Sequence, residues 1–343
     1  MTDHNDLEYS YADAIRISIQ EEMRKNRKLL VYGLGVDDPT GMYGTTKGYA
    51  EEFGKDRCFD TPLSEDAMTG YGIGLAIRGY RPIHVHQRAD FLLLCMNQLI
   101  NMAAKINYVS NNRETAPIVV RAIIGRSWGQ GAQHSQSLYS LFGNIPGIEV
   151  LVPATAHEIY NTYKNLLGQD KPAVVIEHRM LYKTKSRVFN EGKLPTCSKI
   201  SEGDDITICS MSHATYETGR ACKWLEKLKI QSDHFSISNI KDWGHSRILI
   251  SAKKTGRLLI VDNGWLNCSI AHTIGFKIFE SGYRGKIKVL GYADTPCPTA
   301  RRLEDAYYPD AEMIANEILY LCESAERVKI KKSEALESFK GPF

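Results

Sequence analysis

The stretch Pro117-Ile118-Val119-Val120-Arg121-Ala122-Ile123-Ile124 decides the fold class of this chain. It is apolar at all positions but one and rich in β-branched residues, which is typical of a strand buried on both faces. Short apolar runs bounded by glycine or proline alternate with segments of helical period before and after it. The sequence therefore predicts an α/β fold in which helices cover a mostly parallel sheet.

The alternation of strands and helices stops once and then resumes. Residues 181–204 are dominated by lysine, serine, glycine and proline, and we interpret them as a linker. The first domain is predicted over residues 1–180 and a smaller second domain over residues 205–343, each a mostly parallel sheet flanked by helices. Within the first domain, one long apolar helix is predicted at residues 91–109 and another helix at residues 135–142.

Composition and charge exclude several classes of function. The 343 residues are 43% hydrophobic and 24% charged, and the net charge of +3 comes from interspersed acids and bases. This pattern indicates neither a nucleic-acid-binding surface nor a membrane-surface patch, and no apolar run reaches the roughly 18 residues of a membrane-spanning helix. The acidic N-terminus is not expected to be a signal peptide, and eight cysteines without a Cys-x-x-Cys pair favour a cytoplasmic protein.

Ligands of open parallel sheets bind beyond the carboxyl ends of the strands, and three predicted loops meet that criterion. They span residues 60–65, 86–90 and 125–134. Glu65 lies where the first loop gives way to a helix. Either Ser64 caps that helix and Glu65 only favours its positive end, worth about 0.3–1 kcal/mol, or the carboxylate is presented to a ligand.

Glycines at positions 70, 72 and 74 interrupt the helix that follows Glu65. Each glycine inside a helix costs about 1 kcal/mol relative to alanine. The three together predict that this helix packs closely against another backbone, within the chain or across an interface.

Histidines leave further alternatives open. His84 and His86 alternate along a predicted strand and therefore point to one face, but without a third ligand at suitable spacing we predict no metal site. His134 follows a glycine-rich loop whose spacing matches neither a phosphate loop nor a dinucleotide fingerprint. It is either a structural or capping group or, with Gln133 beside it, part of a polar site.

An ordered series of motifs resembles the β subunit of the E1 component of thiamine-diphosphate-dependent 2-oxoacid dehydrogenases. The motifs are Asp60-Thr61-Pro62-Leu63-Ser64-Glu65, Arg81-Pro82-Ile83, Ala132-Gln133-His134-Ser135-Gln136, Val261-Asp262-Asn263-Gly264-Trp265 and Asp294-Thr295-Pro296-Cys297-Pro298, with residues 97–105 between the second and third. The resemblance extends from about Tyr9 to Leu321. It implies a transketolase-like pyrimidine-binding domain followed by a transketolase C-terminal-like domain.

The resemblance also implies roles for individual residues. Glu65 would hydrogen-bond the aminopyrimidine ring of the coenzyme and promote its reactive imino tautomer, through a charge-assisted bond worth about 1.5–3 kcal/mol. His134 would lie near the reacting carbon of the substrate as an acid–base or acyl-transfer group. The remaining expected contacts are Gln87, Arg88 and Phe91 for the coenzyme and His86, Arg88 and Gln133 for the substrate.

Finally, the resemblance implies that the active site is incomplete in this chain. A separate E1 α-like subunit would bind the diphosphate of thiamine diphosphate through Mg²⁺, in an α₂β₂ heterotetramer, and a lipoyl acyltransferase would accept the acyl group. The first hypothesis is thus a subunit that decarboxylates a 2-oxo acid and transfers the acyl group. Two alternatives are a transketolase-like or acyloin-forming carboligase subunit, which joins an acyl or ketol unit to an aldehyde, and a non-catalytic regulatory paralogue.

Overall fold

The computed structural model describes residues 7–126 and 129–332. The chain forms two compact units: unit 1 comprises Met1–Ile124 and Leu141–Pro195, and unit 2 comprises Gly125–Ser140 and Thr196–Phe343. This division differs from the predicted domains in two respects: Gly125–Ser140 belongs to the second unit, and the predicted linker at 181–204 is divided between the units after Pro195. Ser127 and Trp128 of the predicted glycine-rich loop, and residues 1–6 of the N-terminus, lie outside the described residues.

Unit 1 is built on a six-stranded sheet whose strands are all parallel. The strands of unit 1 are β1 (Leu7–Ser10), β2 (Leu29–Gly33), β3 (Cys58–Phe59), β4 (Arg81–His86), β5 (Val119–Ile124), β6 (Glu149–Leu151), β7 (Ala173–His178) and β8 (Lys185–Val188). The six strands of the sheet are in the order β3-β2-β4-β5-β7-β6, and β1 pairs separately with β8 in an antiparallel ribbon. The helices are α1 (Tyr11–Lys25), α2 (Tyr49–Phe53), α3 (Glu65–Ile77), α4 (Ile106–Val109), α5 (Tyr139–Gly143), which begins in unit 2, and α6 (Ala156–Leu166). Every residue of β5 is buried, which confirms the prediction of a covered parallel sheet.

Two predicted helices of this region are wrong in part. Residues 91–109 form a 3₁₀ helix at Ala89–Cys95, a π-helix at Gln98–Ala103 and the short α4. The buried residues Leu92, Cys95, Leu99 and Ala103 are three or four positions apart, a spacing that several kinds of helical turn satisfy, so apolar composition did not distinguish among them. Similarly, of the helix predicted at 135–142 only the part from Tyr139 onward is helical.

Unit 2 contains a five-stranded sheet in the order β13-β12-β10-β11-β9, in which only β9 runs antiparallel to its neighbour. Its strands are β9 (Cys197–Ser201), β10 (Ile206–Met211), β11 (Ser232–Ile237), β12 (Arg257–Trp265) and β13 (Lys286–Tyr292). Its helices are α7 (His213–Leu225), α8 (His245–Thr255), α9 (Ile270–Glu280), α10 (Arg301–Tyr307) and α11 (Ala311–Leu321). The predicted linker at 181–204 thus includes β8 and β9, two strands whose partly exposed positions carry the lysine and serine residues that suggested a loop.

Within the described residues, none of the helices is both long and apolar enough to cross a membrane. The eight cysteines all fall in this part of the chain, where none of them is in a disulfide bond.

A fully buried ion pair joins two central strands of unit 1. Arg121 on β5 donates from Nε and Nη2 to the two carboxylate oxygens of Glu177 on β7, at 2.8 and 2.9 Å, and neither side chain is exposed. The hydroxyl groups of Tyr163 and Tyr182 donate to the same carboxylate at 2.6 and 2.7 Å, and Arg121 also donates to Thr45 Oγ1 at 3.0 Å. Arg121, the one charged residue of β5, is therefore paired with a buried counter-ion, Glu177.

We expect Arg121→Met to lower the free energy of unfolding by about 3–5 kcal/mol, because it leaves the Glu177 carboxylate buried without its counter-ion. Denaturant titration monitored by circular dichroism measures the change. The control is Lys286→Met, which removes an exposed ion pair with Glu323 and should cost about 1 kcal/mol or less. Similar losses for the two variants would contradict the assigned importance of the buried pair.

Candidate active site

A pocket lies at the carboxyl edge of the sheet in unit 1, beyond the ends of β2, β3 and β4. It holds about 480 Å³ of empty space, including the part that is open to solvent. Glu65, His86 and Gln87 contribute polar groups to its lining. Its apolar lining residues are Leu34, Pro62, Leu63, Met68, Val85 and Phe91. Two of the three loops predicted to carry the site are therefore brought together here.

Glu65 is the first residue of α3 and is half-buried at the pocket. Its carboxylate makes no hydrogen bond or ion pair with any other residue in the described ranges. The capping interpretation of this region is wrong, because Ser64 makes no side-chain capping bond and its hydroxyl instead donates to Asp66 Oδ1 at 3.1 Å. Glu65 lies at the amino-terminal end of α3, which is the positive end of the helix dipole.

The glycines of α3 have two different environments. A Cβ at Gly72 would lie 2.0 Å from the hydroxyl oxygen of Tyr32 and 2.7 Å from Ile118 Cδ1, so only glycine permits this approach of helix to sheet. Tyr32 in turn donates to the backbone oxygen of Met68 at 2.9 Å. A Cβ at Gly74 would meet nothing within 4 Å. Close packing within the chain thus explains one of the three glycines.

The rings of Tyr32, His84 and His86 pack against one another beside the pocket. The ring of His84 is stacked on Tyr32 with centroids 4.7 Å apart, and His86 Nε2 lies 3.2 Å from His84 Nδ1. Thr69 Oγ1 lies 3.1 Å from the same His84 nitrogen. Burial lowers the pKa of His84 well below its usual value, with the neighbouring His86 as a second cause, and burial lowers the pKa of His86 to about 4. Both imidazoles are therefore neutral near pH 7 and supply no positive charge to Glu65.

The other residues predicted for the coenzyme and the substrate lie at different places. Gln87 is half-buried in the pocket, where its Nε2 donates to Leu34 O at 3.4 Å, and Phe91 forms part of the apolar wall. Arg88 is buried and does not line this pocket. Its Nη1 donates to Tyr43 Oη at 2.7 Å and to Gln87 O at 2.8 Å. A direct contact of Arg88 with coenzyme or substrate stays a prediction.

His134 and Gln133 belong to unit 2. They end the 3₁₀ turn Gly131–Gln133, where Gln133 is exposed and His134 is half-buried. The structure thus assigns Glu65 and His134 to different compact units, although the sequence predicted both in one domain. Their roles in catalysis stay predictions.

Sequence analysis missed Leu34 and Met68 as pocket residues. Leu34 directly follows β2, and a position at the carboxyl end of a parallel strand is where ligands bind, so that position was the signal that could have found it. Among the described residues, no group of three or more histidine, cysteine or acidic side chains could hold a metal ion.

The buried imidazole of His86 predicts a dependence of stability on pH. Unfolded histidine has a pKa of about 6.5, so between that value and the folded pKa of about 4 the unfolded state binds a proton that the folded state does not. Stability should therefore fall by about 2 kcal/mol from pH 7 to pH 5 on account of this residue. We expect His86→Phe to reduce that loss in denaturant titrations at the two pH values, and an unchanged loss would contradict the assignment.

Comparison with known proteins gives the family. Residues 8–185 match the family model for the transketolase pyrimidine-binding domain, and residues 196–314 match that for the transketolase C-terminal domain. The chain is 33% identical to the 2-oxoisovalerate dehydrogenase subunit beta of Bacillus subtilis (strain 168), over 89% of this chain and 96% of that protein. It is 29% identical to the pyruvate dehydrogenase E1 component subunit beta of Rickettsia bellii, over 92% and 99%.

A solved structure described as a split-gene transketolase, an inactive β4 tetramer, has the same fold. Its TM-score is 0.75 at 18% sequence identity, over 92% of this chain and 99% of that one. The two matched domains, in this order and over most of the chain, are those that the motif series indicated. The chain therefore belongs to the transketolase-like family of thiamine-diphosphate-dependent 2-oxoacid dehydrogenase E1 β subunits.

Proposed function

We propose that this chain, together with an E1 α-like subunit, decarboxylates a 2-oxo acid and transfers the acyl group to lipoamide. The observation that carries the proposal is the Glu65 carboxylate, which lies in a partly apolar pocket and has no hydrogen-bond or ion-pair partner in the described residues. Family membership supports the same conclusion, since the curated relatives named above are E1 β subunits of 2-oxoacid dehydrogenases.

The lining of the pocket fits the pyrimidine ring of thiamine diphosphate. That ring is flat and apolar on its faces, and it carries nitrogen atoms at its edge. Phe91, Met68 and Leu34 offer apolar surface, while Glu65 and Gln87 offer an acceptor and an amide. A coenzyme ring nitrogen that carries a proton would donate a hydrogen bond to the Glu65 carboxylate, which has no donor among the described residues.

When bound, thiamine diphosphate supplies the electron sink that decarboxylation requires. Glu65 would accept a hydrogen bond from the ring nitrogen and so hold a proton at that atom, which favours the reactive tautomer. Gln87 would orient the ring edge. His134 would deliver a proton to, or remove one from, the substrate during acyl transfer.

An α subunit would complete the site by holding Mg²⁺ and the diphosphate. Unit 1 exposes several large apolar side chains. They include Leu63 just before α3, Tyr71 on α3, and Leu93, Leu94, Met102, Tyr108 and Val109 in the segments that follow β4. The open face at Gly74 lies on the same helix and would let a partner helix approach. We infer that this surface contacts the α subunit in a heterotetramer.

We expect Glu65→Gln to lower the turnover of the α–β enzyme by about 100-fold or more, because the neutral amide no longer stabilises the protonated ring nitrogen. Carbon dioxide release from 2-oxo acids measures turnover, and calorimetry measures coenzyme affinity. Glu114→Gln, at an exposed glutamate of the same unit, is the control and should behave as the native enzyme. Near-native turnover of Glu65→Gln would remove this residue from the mechanism.

The shared site makes a second prediction about binding. The isolated chain should bind thiamine diphosphate and Mg²⁺ weakly, and affinity should rise when the purified α subunit is added, because the groups that hold the diphosphate come from that subunit. Titration calorimetry with and without the α subunit measures the difference. Tight binding by this chain alone would show that the site is not shared.

A further inference from the structure

The segment that carries His134 is held by unit 2 on both of its sides. Gly131, Ser135, Tyr139 and Ser140 of this segment all belong to unit 2. The contacts of Tyr139 and Ser140, at the start of α5, come from β12 and α9, and those of Gly131 and Ser135 come from residues 297–308. None of these contacts was expected from the sequence.

The C-terminal contact is a buried hydrogen-bonded pair. Tyr139 Oη donates to Asp262 Oδ1 and accepts from the backbone N–H of Asn263 at 3.0 Å, and both Tyr139 and Asp262 are at most 1% exposed. The next residue, Ser140, accepts from the N–H of Ile270 at the start of α9, at 3.3 Å. Tyr139 therefore makes its two hydrogen bonds to the end of β12, five positions after His134.

The ionic state of Asp262 fits this arrangement. Burial raises the pKa of Asp262 to about 6, and the hydrogen bond from Tyr139 is the largest of the effects that lower it. With this pKa the carboxylate is mostly ionised at pH 7 and accepts a charge-assisted bond, which is stronger than one between neutral groups. Without the hydroxyl, Asp262 would be a buried charge that lacks this donor.

Residues 297–299 contact the segment on both sides of His134. Gly131 has a φ of +66°, and a Cβ there would lie 2.5 Å from Thr299 Cγ2, so the backbone runs directly over Thr299. The hydroxyl of Ser135 interacts with the thiol of Cys297, whose Sγ lies 3.3 Å from Tyr308 Oη. His134 therefore lies between two positions, 131 and 135, that contact residues 297–299.

We propose that the Tyr139–Asp262 pair is a positioning device that holds the His134 imidazole in its working orientation, so that unit 2 takes part in the reaction through this segment. This inference rests on the role proposed for His134. A displacement of about 1 Å in a reacting group can lower a rate by about 100-fold, which is the leverage that such a contact would have. Tyr139 and Asp262 touch neither substrate nor coenzyme in this proposal and act only through His134.

The test uses the assembled α–β enzyme. Tyr139→Phe removes only the hydroxyl and should lower kcat by about tenfold to 100-fold, with little change in coenzyme affinity. Asp262→Asn keeps an acceptor oxygen for Tyr139 and should retain more activity than Asp262→Leu. In hydrogen exchange followed by mass spectrometry, peptides covering residues 129–140 should exchange faster in Tyr139→Phe and in Asp262→Leu.

The matched control is Tyr163→Phe in unit 1. It also removes a buried tyrosine hydroxyl that donates to a carboxylate, that of Glu177, at 2.6 Å. It should lower the melting temperature to a similar degree but leave kcat and the exchange of residues 129–140 unchanged. An equal loss of kcat in this control would show that the effect of Tyr139→Phe is general destabilisation and would overturn the proposal.

A double-mutant cycle separates the inference from the proposed function. If Tyr139 acts through His134, Tyr139→Phe should cause no further loss of kcat in a His134→Ala background. Independent, multiplicative losses would overturn the positioning role while leaving the role of His134 intact. If His134→Ala alone keeps full activity, the role of His134 and the inference both fail, and the effect of Glu65→Gln still tests the proposed function by itself.

Discussion

The pocket of unit 1 depends on the parallel pairing of β2 with both β3 and β4. In that register Val31 lies opposite both Cys58 and Ile83, so the residues that follow β3 and those that follow β4 leave the sheet at the same edge. Parallel strands fix the direction of every such exit, and an antiparallel neighbour would have sent one loop to the opposite edge. Residues about twenty positions apart in the chain thus line one cavity, and the start of α3 brings Glu65 to it.

The charges of unit 1 are arranged in two contrasting ways. Deep in the sheet layer, Glu177 has Arg121 as its counter-ion and two tyrosine hydroxyls as donors, so its burial is compensated by groups of the chain itself. At the pocket, burial keeps the imidazoles of His84 and His86 unprotonated near pH 7, so these histidines give Glu65 no counter-ion. A carboxylate that lines a partly apolar pocket without a protein donor is a group that a donor on a ligand can satisfy. This difference separates a carboxylate that stabilises the fold from one suited to bind a ligand.

The sequence predicted those features that depend on local pattern. The buried run at β5, the alternation of strands with helices and the loops that line the pocket all follow from hydrophobic period and from the geometry of parallel sheets. The breaks within residues 91–109 and the edge strands β8 and β9 were missed. In residues 91–109 the spacing of the apolar residues does not specify which kind of helical turn forms. In the edge strands the exposed positions carry polar residues, so their composition is that of a loop. Arg88 shows the same limit, because its bond to Tyr43 joins residues 45 positions apart.

The position of residues 125–140 shows why chain order and compact units can disagree. The segment lies between β5 and β6 in the sequence, and a prediction from order alone assigns it to the first domain. Its side chains, however, find their partners in unit 2: Tyr139 at Asp262, Ser135 at Cys297, and Arg126 with its guanidinium carbon 4.2 Å from the centre of the Tyr308 ring. Such pairings are specific, long in sequence separation and invisible to periodicity. Each unit therefore carries one of the two side chains for which chemistry is proposed, Glu65 in unit 1 and His134 in unit 2.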